Sequence, residues 1–225
     1  LNIALNSVRI SRLPVIFFSL EMSKEQIMYR ILASETGINQ MRLKNGKLYQ
    51  NDWIKLNKTI KIISKLPLFI DDKANLSIHE IRSKIKTIIL EQTKIGLVII
   101  DYLQLMNNSE FNNGNRVQEL SQITRYLKNL AREFNIPIIA LSQLSRNVET
   151  RIDQKPILSD LRESGSIEQD ADVVLMLYRN KSLTQSQDIG SSTTELIIAK
   201  HRNGPIGNVK LAFNENQTKF VDFNT

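Results

Sequence analysis

Three residues of the sequence, Glu21, Asp101 and Gln143, stand at or just after the ends of short apolar runs. In open α/β sheets, ligands bind beyond the carboxyl ends of the strands, so three such strands would bring these side chains to one edge. Phosphoryl-transfer sites use the same types: an Asp holds Mg²⁺, usually through water, a Glu orients or deprotonates the attacking water, and a Gln senses the γ-phosphate. The simpler interpretation is that each residue only marks the end of a strand.

The apolar runs themselves predict a parallel sheet. They are continuous and rich in β-branched residues, as in strands buried on both faces, and they cover 15–18, 68–70, 97–100, 136–140 and 173–177. The stretches between them include three with apolar residues at helical spacing, which predict helices at 25–36, 78–92 and 116–134. This alternation of strands and helices favours a doubly wound α/β fold.

The character of the sequence changes after Leu183. Shorter apolar runs, joined by Gly, Asn and Pro turns, predict strands at 195–200, 208–213 and 220–223. We expect these strands to be antiparallel and to extend the sheet at one edge.

Composition limits the classes of function. The chain has 225 residues, of which 41% are hydrophobic, and this is enough for the core of one α/β domain. The net charge of +7 is compatible with a DNA or RNA partner, although a basic solvated surface gives the same value. The absence of cysteine excludes disulfides, Cys-based zinc sites and a thiol nucleophile. No apolar run approaches the roughly 18 residues needed to span a bilayer.

Five segments, in order along nearly the whole chain, resemble the motifs of the DnaB family of replicative DNA helicases. Residues 18–23 resemble the segment with the catalytic glutamate, and residues 100–106 resemble the Walker B segment. The third, fourth and final helicase motifs are resembled by 140–146, 160–172 and 200–204. The resemblance implies a RecA-like P-loop NTPase core, mostly parallel sheet flanked by helices, with antiparallel strands at the C-terminal edge. It also implies a hexameric ring that uses ATP to unwind duplex DNA at the replication fork.

The resemblance assigns a role to each candidate residue. Glu21 would be the general base for the water that attacks ATP, and Asp101 would position Mg²⁺. Gln143 would couple the γ-phosphate to the DNA-facing loops. Lys200 and Arg202 would act in trans on the nucleotide of the neighbouring subunit, stabilising charge on the transferring phosphoryl group. Residues two apart on a strand point the same way, so both cations can face one site, but ordinary exposed cations near a turn would have the same spacing.

In the same family, the fourth motif contacts the phosphates of single-stranded DNA in the ring channel. Arg162 would supply charge, and Gly165 would permit close approach of a backbone N–H to a phosphate. Glu163 belongs to this DNA-binding segment, although a carboxylate is a better partner for a basic residue than for DNA. Weaker candidates for DNA contact, which could equally be solvated side chains, are Arg116, Arg146 and Arg151.

One family motif does not occur in the sequence. The family has a glycine-rich Walker A loop, ending Gly-Lys-Thr, just ahead of the helix that residues 1–6 would continue, but no Gly-Lys-Ser/Thr is present and Gly46-Lys47 predicts a turn. We therefore expect residues 1–225 to be a single N-terminally truncated motor domain with no appreciable ATPase activity alone. The central strand would be missing too, leaving a gap or two open strand edges. A cloning boundary, an incomplete gene sequence or a precursor split by protein splicing would each account for this.

The resemblance also implies partners: single-stranded DNA, five further copies in a homo-hexamer, and the primase and helicase loader of a primosome, with no membrane. The cofactors would be ATP and Mg²⁺. The location would be the bacterial cytoplasm, at the nucleoid, or the chloroplast stroma, because the many Ile, Asn and Lys residues indicate an AT-rich genome.

Two alternative functions stay open from the sequence. A RecA- or RadA-like recombination ATPase shares the fold, the strand-end Asp and a DNA-facing loop, but would form filaments and exchange strands. A degenerate, non-enzymatic module for DNA binding or ring assembly would explain the missing loop. The presence of all five candidate catalytic side chains argues against such decay.

Overall fold

The computed structural model of the chain describes residues 1–106, 116–151, 153–179 and 191–223. For residues 162–165, 191 and 192 it describes the backbone alone. The sequence also predicts a loop at 107–115 and a polar stretch without periodicity at 182–192; the first and most of the second lie outside the described residues.

The first sheet has four parallel strands in the order β2-β1-β3-β4. Their bounds are Val15–Ser19 (β1), Leu68–Asp71 (β2), Leu97–Asp101 (β3) and Ile138–Ala140 (β4). Every residue of β1 is buried, as its continuous apolar run predicts. Four of the five predicted strands thus form the parallel sheet inferred from the sequence, but the fifth, predicted at 173–177, lies in a separate antiparallel sheet.

Helices cover both faces of this sheet. Because strand side chains alternate, Ile16 and Phe18 pack in a core with Val98 and Ile100, while Val15 and Phe17 pack in a second core on the other face. The described helices are Asn2–Ser11 (α1), Lys24–Thr36 (α2), Gln40–Lys44 (α3), Gln50–Ile63 (α4), Ile78–Gln92 (α5), Arg116–Phe134 (α6) and Gly165–Asp170 (α7). Short 3-10 helices lie at Leu103–Leu105, Arg146–Thr150 and Leu158–Ser164.

The caps of α2 lie where the sequence predicts them. The Ser23 hydroxyl accepts from the Gln26 N–H, and the Gln26 side chain accepts in return from the Ser23 N–H. Gly37 ends the helix with a φ of 72°, a left-handed conformation that suits glycine. These caps fix where α2 begins, directly after the segment that carries Glu21.

The C-terminal strands form a second sheet, antiparallel and in the order β5-β6-β7-β8. Their bounds are Val173–Arg179 (β5), Ser191–His201 (β6), Gly207–Asn214 (β7) and Lys219–Asp222 (β8). The strands are thus antiparallel as expected, but among the described residues they do not pair with β4. Instead one edge of β4 and one edge of β5 have no partner strand in the described part of the chain.

Only one face of β5 is buried. Its apolar run predicts burial on both faces, but alternate residues are exposed, with Val173, Leu175 and Leu177 at 43%, 50% and 56% of their full accessibility. Val174 and Met176, on the other face, pack with Leu161 in a small core. In the described part of the chain, β4 and β5 thus each have an unpaired edge, and one apolar face of β5 is open to solvent. The missing central strand stays a prediction.

Among the described helices, none is both long enough and apolar enough to cross a lipid bilayer.

Candidate functional site

Two carboxylates meet at the carboxyl edge of the parallel sheet. β1 and β3 are neighbours with Ser19 opposite Asp101, and the Leu20 N–H donates to the Asp101 carbonyl at 2.7 Å. Glu21, the next residue, is thereby held beside Asp101. Burial raises the pKa of the Asp101 carboxyl, the negative charge of Glu21 raises it further, and the positive charge of Arg30 opposes them. Such a pair is a favourable place for a cation, because each negative charge penalises the other.

A cavity of about 400 Å³ opens beside this pair. It is lined by Glu21, Met22, Gln26, Tyr29, Arg30, Gln40, Lys44 and Asp101. The start of α1 lies on the same side of the sheet, since Leu1 and Met22 of the cavity both pack against the core that contains Ile99. A helix start carries partial positive charge and free N–H groups, so this edge can accept an anion as well as a cation.

The cavity cations were not identified from the sequence. Arg30 lies on α2, nine residues after Glu21, and one helical turn after Gln26, which also lines the cavity. Lys44 ends α3. Neither cation has a hydrogen bond or ion pair to another described residue, nor do the side chains of Glu21 and Asp101. No local signal in the sequence identifies Arg30, because only the folded structure shows that this side of α2 faces Asp101.

The other acidic residues at this sheet edge already have partners. Asp71, at the end of β2, forms an ion pair with Lys84, and Asp72 accepts from the Lys24 N–H at 3.0 Å. The charge on these two side chains thus fixes α5 and the start of α2. Among the described residues, no group of three or more His, Cys, Asp or Glu side chains could hold a metal ion. A metal at Glu21 and Asp101 would need water or ligand oxygens as well.

Gln143 follows the neighbouring strand β4, as predicted, and Gln104 determines its position. The Leu141 N–H donates to the Ile100 carbonyl at 2.9 Å, which aligns the end of β4 with that of β3. The Gln104 side-chain amide then donates to the Ser142 hydroxyl at 2.9 Å and accepts from the Gln143 N–H at 3.3 Å. The Gln143 side chain is exposed and is outside the lining of the cavity.

Lys200 and Arg202 lie elsewhere, at the carboxyl end of α7. Lys200 Nζ donates to the Glu168 carbonyl at 2.5 Å, and both cations contact the Gln169 carbonyl, Lys200 at 3.4 Å and Arg202 at 3.0 Å. Both side chains therefore point to one place, although the strand ends at His201 and Arg202 lies in the turn that follows it. Within the described part of this chain, neither contacts Glu21 or Asp101, so their action in trans stays a prediction.

Within the fourth motif, residues 162–165 are described by their backbone alone. Residues 162–164 lie in the 3-10 helix Leu158–Ser164, and Gly165 begins α7. The side chains of Arg162 and Glu163 lie outside the described residues, and the predicted DNA contacts of this segment, including the approach at Gly165, stay predictions.

Two of the weaker DNA candidates have structural partners. The Arg116 guanidinium donates to the Gln104 carbonyl at 2.7 Å and forms an ion pair with Glu119, so it holds the turn after Asp101. Arg151 forms an ion pair with Asp160, which is buried. These contacts favour anchoring of the surrounding loops over DNA contact for both arginines. Arg146 is exposed and has no partner among the described residues.

Comparison with known proteins agrees with the motif resemblance. Residues 1–222 match the model of the family described as the DnaB-like helicase C-terminal domain. The chain is similar to a probable replicative DNA helicase of Trieres chinensis, with 63% identity over 99% of this chain and 50% of that protein. It is also similar to the replicative DNA helicase DnaB of Geobacillus stearothermophilus, with 46% identity over 99% of this chain and 48% of that protein.

A solved structure shows the same architecture. A DnaB-like replicative helicase, whose structure was determined together with its interactions with primase, superposes with a TM-score of 0.88 at 41% identity, covering 95% of this chain and 51% of that one. The fold class inferred from the sequence is therefore confirmed. The chain spans about half the length of the curated relatives it matches.

Proposed function

Since the chain belongs to the family of DnaB-like helicase C-terminal domains, we propose that it forms most of the ATP-hydrolysing motor of a replicative DNA helicase, which unwinds duplex DNA at the fork. The observation that carries the proposal is the pair Glu21 and Asp101. They follow adjacent parallel strands, line one cavity, and have no partner among the described side chains. A site free of internal partners is what a bound ligand requires.

The two carboxylates would have different tasks. Glu21 would accept the proton of the water that attacks the γ-phosphate. Asp101 would hold Mg²⁺ through water, which suits the preference of this ion for carboxylate and water oxygens and the small number of acidic side chains present. When bound, Mg²⁺ would neutralise charge on the phosphate oxygens. Arg30, facing the same cavity, would add positive charge beside the phosphates.

Nucleotide binding also requires a phosphate-binding loop, which the 225 residues do not contain. We propose that residues outside this sequence supply it, together with a strand between the open edges of β4 and β5. The start of α1, near the cavity, would then continue such a loop, and its N–H groups would face the phosphates. Alone, the chain would lack most of the contacts to the β- and γ-phosphates.

The remaining roles concern the ring. In a homo-hexamer, Lys200 and Arg202 would approach the ATP of the neighbouring subunit, and Gln143 would couple the γ-phosphate to the DNA-facing segments. Residues 162–165 would contact the phosphates of single-stranded DNA. A primase partner is supported by the solved relative whose structure was determined together with its interactions with primase, whereas a loader rests on the resemblance. The relatives come from a bacterium and a plastid-bearing alga, which supports a bacterial cytoplasm or a chloroplast stroma.

Steady-state ATP hydrolysis by the full-length protein, with Mg²⁺ and single-stranded DNA, tests the proposed site. Glu21→Gln keeps the size of the side chain but removes the base, so turnover should fall by about 10²-fold or more while a fluorescent ATP analogue still binds. Glu91→Gln, at an exposed glutamate of α5, is the charge-matched control and should leave turnover unchanged. A Glu21→Gln protein that hydrolyses ATP within a few-fold of wild type would refute the assignment. A full-length wild type without any hydrolysis would favour the non-enzymatic module.

A further inference from the structure

The junction between α7 and β5 brings together the two cations that are proposed to act in trans. Arg202 contacts the carbonyl of Gln169 and also contacts Asp172 twice. Its guanidinium lies 3.2 Å from the Asp172 carboxylate, and its backbone N–H donates to the Asp172 backbone carbonyl at 2.8 Å. Lys200 reaches the carbonyls of the last turn of α7. Carbonyls at a helix end lack partners within the helix and carry partial negative charge, so they attract both head groups.

Asp172 is held from a second side by α6. Lys128 of α6 forms an ion pair with the other oxygen of the Asp172 carboxylate, and its side chain is only 20% exposed. The hydrogen bond from Lys128 is the main reason that the pKa of Asp172 is lowered, with smaller effects from Arg202 and Arg132. Asp172 therefore bridges a helix of the main domain and a cation that follows β6.

The same junction has a second, separate anchor. The Thr124 hydroxyl, also on α6, donates to the Asp170 carboxylate at 2.7 Å. Asp170 has no contact with Lys200 or Arg202 among the described residues. The two aspartates are two residues apart and both attach the junction to α6, but one alone faces the cations.

We propose that Asp172 is a positioning residue for Arg202, and this inference rests on the proposed trans role of Arg202. One carboxylate oxygen of Asp172 contacts the Arg202 guanidinium, and the other contacts Lys128. The direction of the Arg202 side chain is therefore fixed relative to α6 before the nucleotide of a neighbouring subunit binds. Because α7 begins at Gly165, displacement of the DNA-facing segment would move the same junction.

The test uses the full-length, ring-forming protein and compares Asp172→Asn with Asp170→Asn. The amide in Asp172→Asn keeps the shape of the side chain but loses the charge that orients the guanidinium, so kcat for ATP should fall about tenfold with KM unchanged. The amide in Asp170→Asn can still accept from the Thr124 hydroxyl, so this control should keep kcat within about twofold. Because the Asp172 side chain is half exposed, loss of its ion pairs should lower the unfolding midpoint of Asp172→Asn only slightly, and Asp170→Asn should change it no more.

A double-mutant cycle separates positioning from a general structural effect. If Asp172 acts through Arg202, then Asp172→Asn should cause no further loss of kcat in an Arg202→Ala protein. An equal loss in both backgrounds, a loss matched by Asp170→Asn, or a wild-type kcat for Asp172→Asn would overturn the inference while leaving the role of Arg202 intact. Full activity of Arg202→Ala would instead remove the proposed trans role and, with it, the basis for a positioning residue.

Discussion

Gln104 joins the turn after β3 to the segment after β4, and its replacement by Leu tests whether that connection positions Gln143. The amide makes two hydrogen bonds of ordinary length, at 2.9 Å to the Ser142 hydroxyl and 3.3 Å from the Gln143 N–H. A third contact, with the Gln143 carbonyl, is at the limit of a hydrogen bond at 3.5 Å. Leu fills a similar volume, so the change removes these bonds with little effect on packing.

The expected loss of stability follows from the two good bonds. A neutral hydrogen bond contributes a net ~0.5–1.5 kcal/mol, and the half-buried position of Gln104 favours the middle of that range, so the free energy of unfolding should fall by about 1–2 kcal/mol. In a domain of this size, 1 kcal/mol corresponds to ~2–4 °C in Tm, so the midpoint should fall by roughly 2–8 °C. ATP turnover should fall as well, because the backbone that presents Gln143 is released.

Calorimetry of the domain transition in the full-length protein, and its ATP turnover, give the two readouts. Gln104→Glu is the matched control, because a carboxylate still accepts from the Gln143 N–H and the Ser142 hydroxyl can turn to donate to it. It should lose less than half of what Gln104→Leu loses in both measurements. An unchanged midpoint for Gln104→Leu, or an equal loss for Gln104→Glu, would refute the reasoning.

Three further predictions concern charge and activity. Burial and Glu21 raise the pKa of Asp101, so its charge destabilises the fold at pH 7. Asp101→Asn should therefore abolish ATP turnover but raise the unfolding midpoint at pH 7, with a gain that disappears below the ordinary pKa of 3.8. A lower midpoint at pH 7 would contradict this. The hydrogen bond from Lys73 and the cap contacts of Ser77 lower the pKa of Glu80 from 4.5 to about 2. The charge of Glu80 therefore stabilises the fold above pH 4.5, and this stabilisation is lost as the pH falls toward 2. In acid unfolding titrations, Glu80→Gln should lose less stability than wild type across that window, and parallel curves would exclude this contribution. The 225-residue chain alone should release no phosphate from ATP above background in a colorimetric assay, and measurable turnover would show that the missing loop is dispensable.

The parallel sheet was predictable because its strands are buried on both faces. Continuous apolar runs locate β1 and β3 to within a residue. β4 begins only at Ile138, after Pro137, which has no N–H to donate. Helices α3 and α4 were not predicted: α4 buries Leu56 and Ile63, but apolar residues on its outer side hide the helical period, namely Trp53, Ile54, Ile60 and Ile62. Periodicity fails when both faces of a helix are apolar.

The residues of the candidate site also divide into those that the sequence alone could place and those that it could not. The proximity of Glu21 and Asp101 could be predicted because a strand end fixes the place of a side chain, whatever the distant packing. Gln104 acts on Gln143 across 39 residues, a contact that depends on the register of β3 and β4 and so on the folded sheet. Arg30 and Asp172 are ordinary charged residues in any local window. Only the folded structure shows that Arg30 lines the cavity and that Asp172 contacts Arg202.

Unwinding of a forked DNA duplex by the full-length protein tests the central claim most directly. Strand displacement should require ATP, Mg²⁺ and a single-stranded tail, and Glu21→Gln should abolish it while DNA and nucleotide still bind. If the wild-type protein instead forms filaments that exchange strands, or binds DNA without unwinding it in the presence of ATP, this domain is not the motor of a replicative helicase.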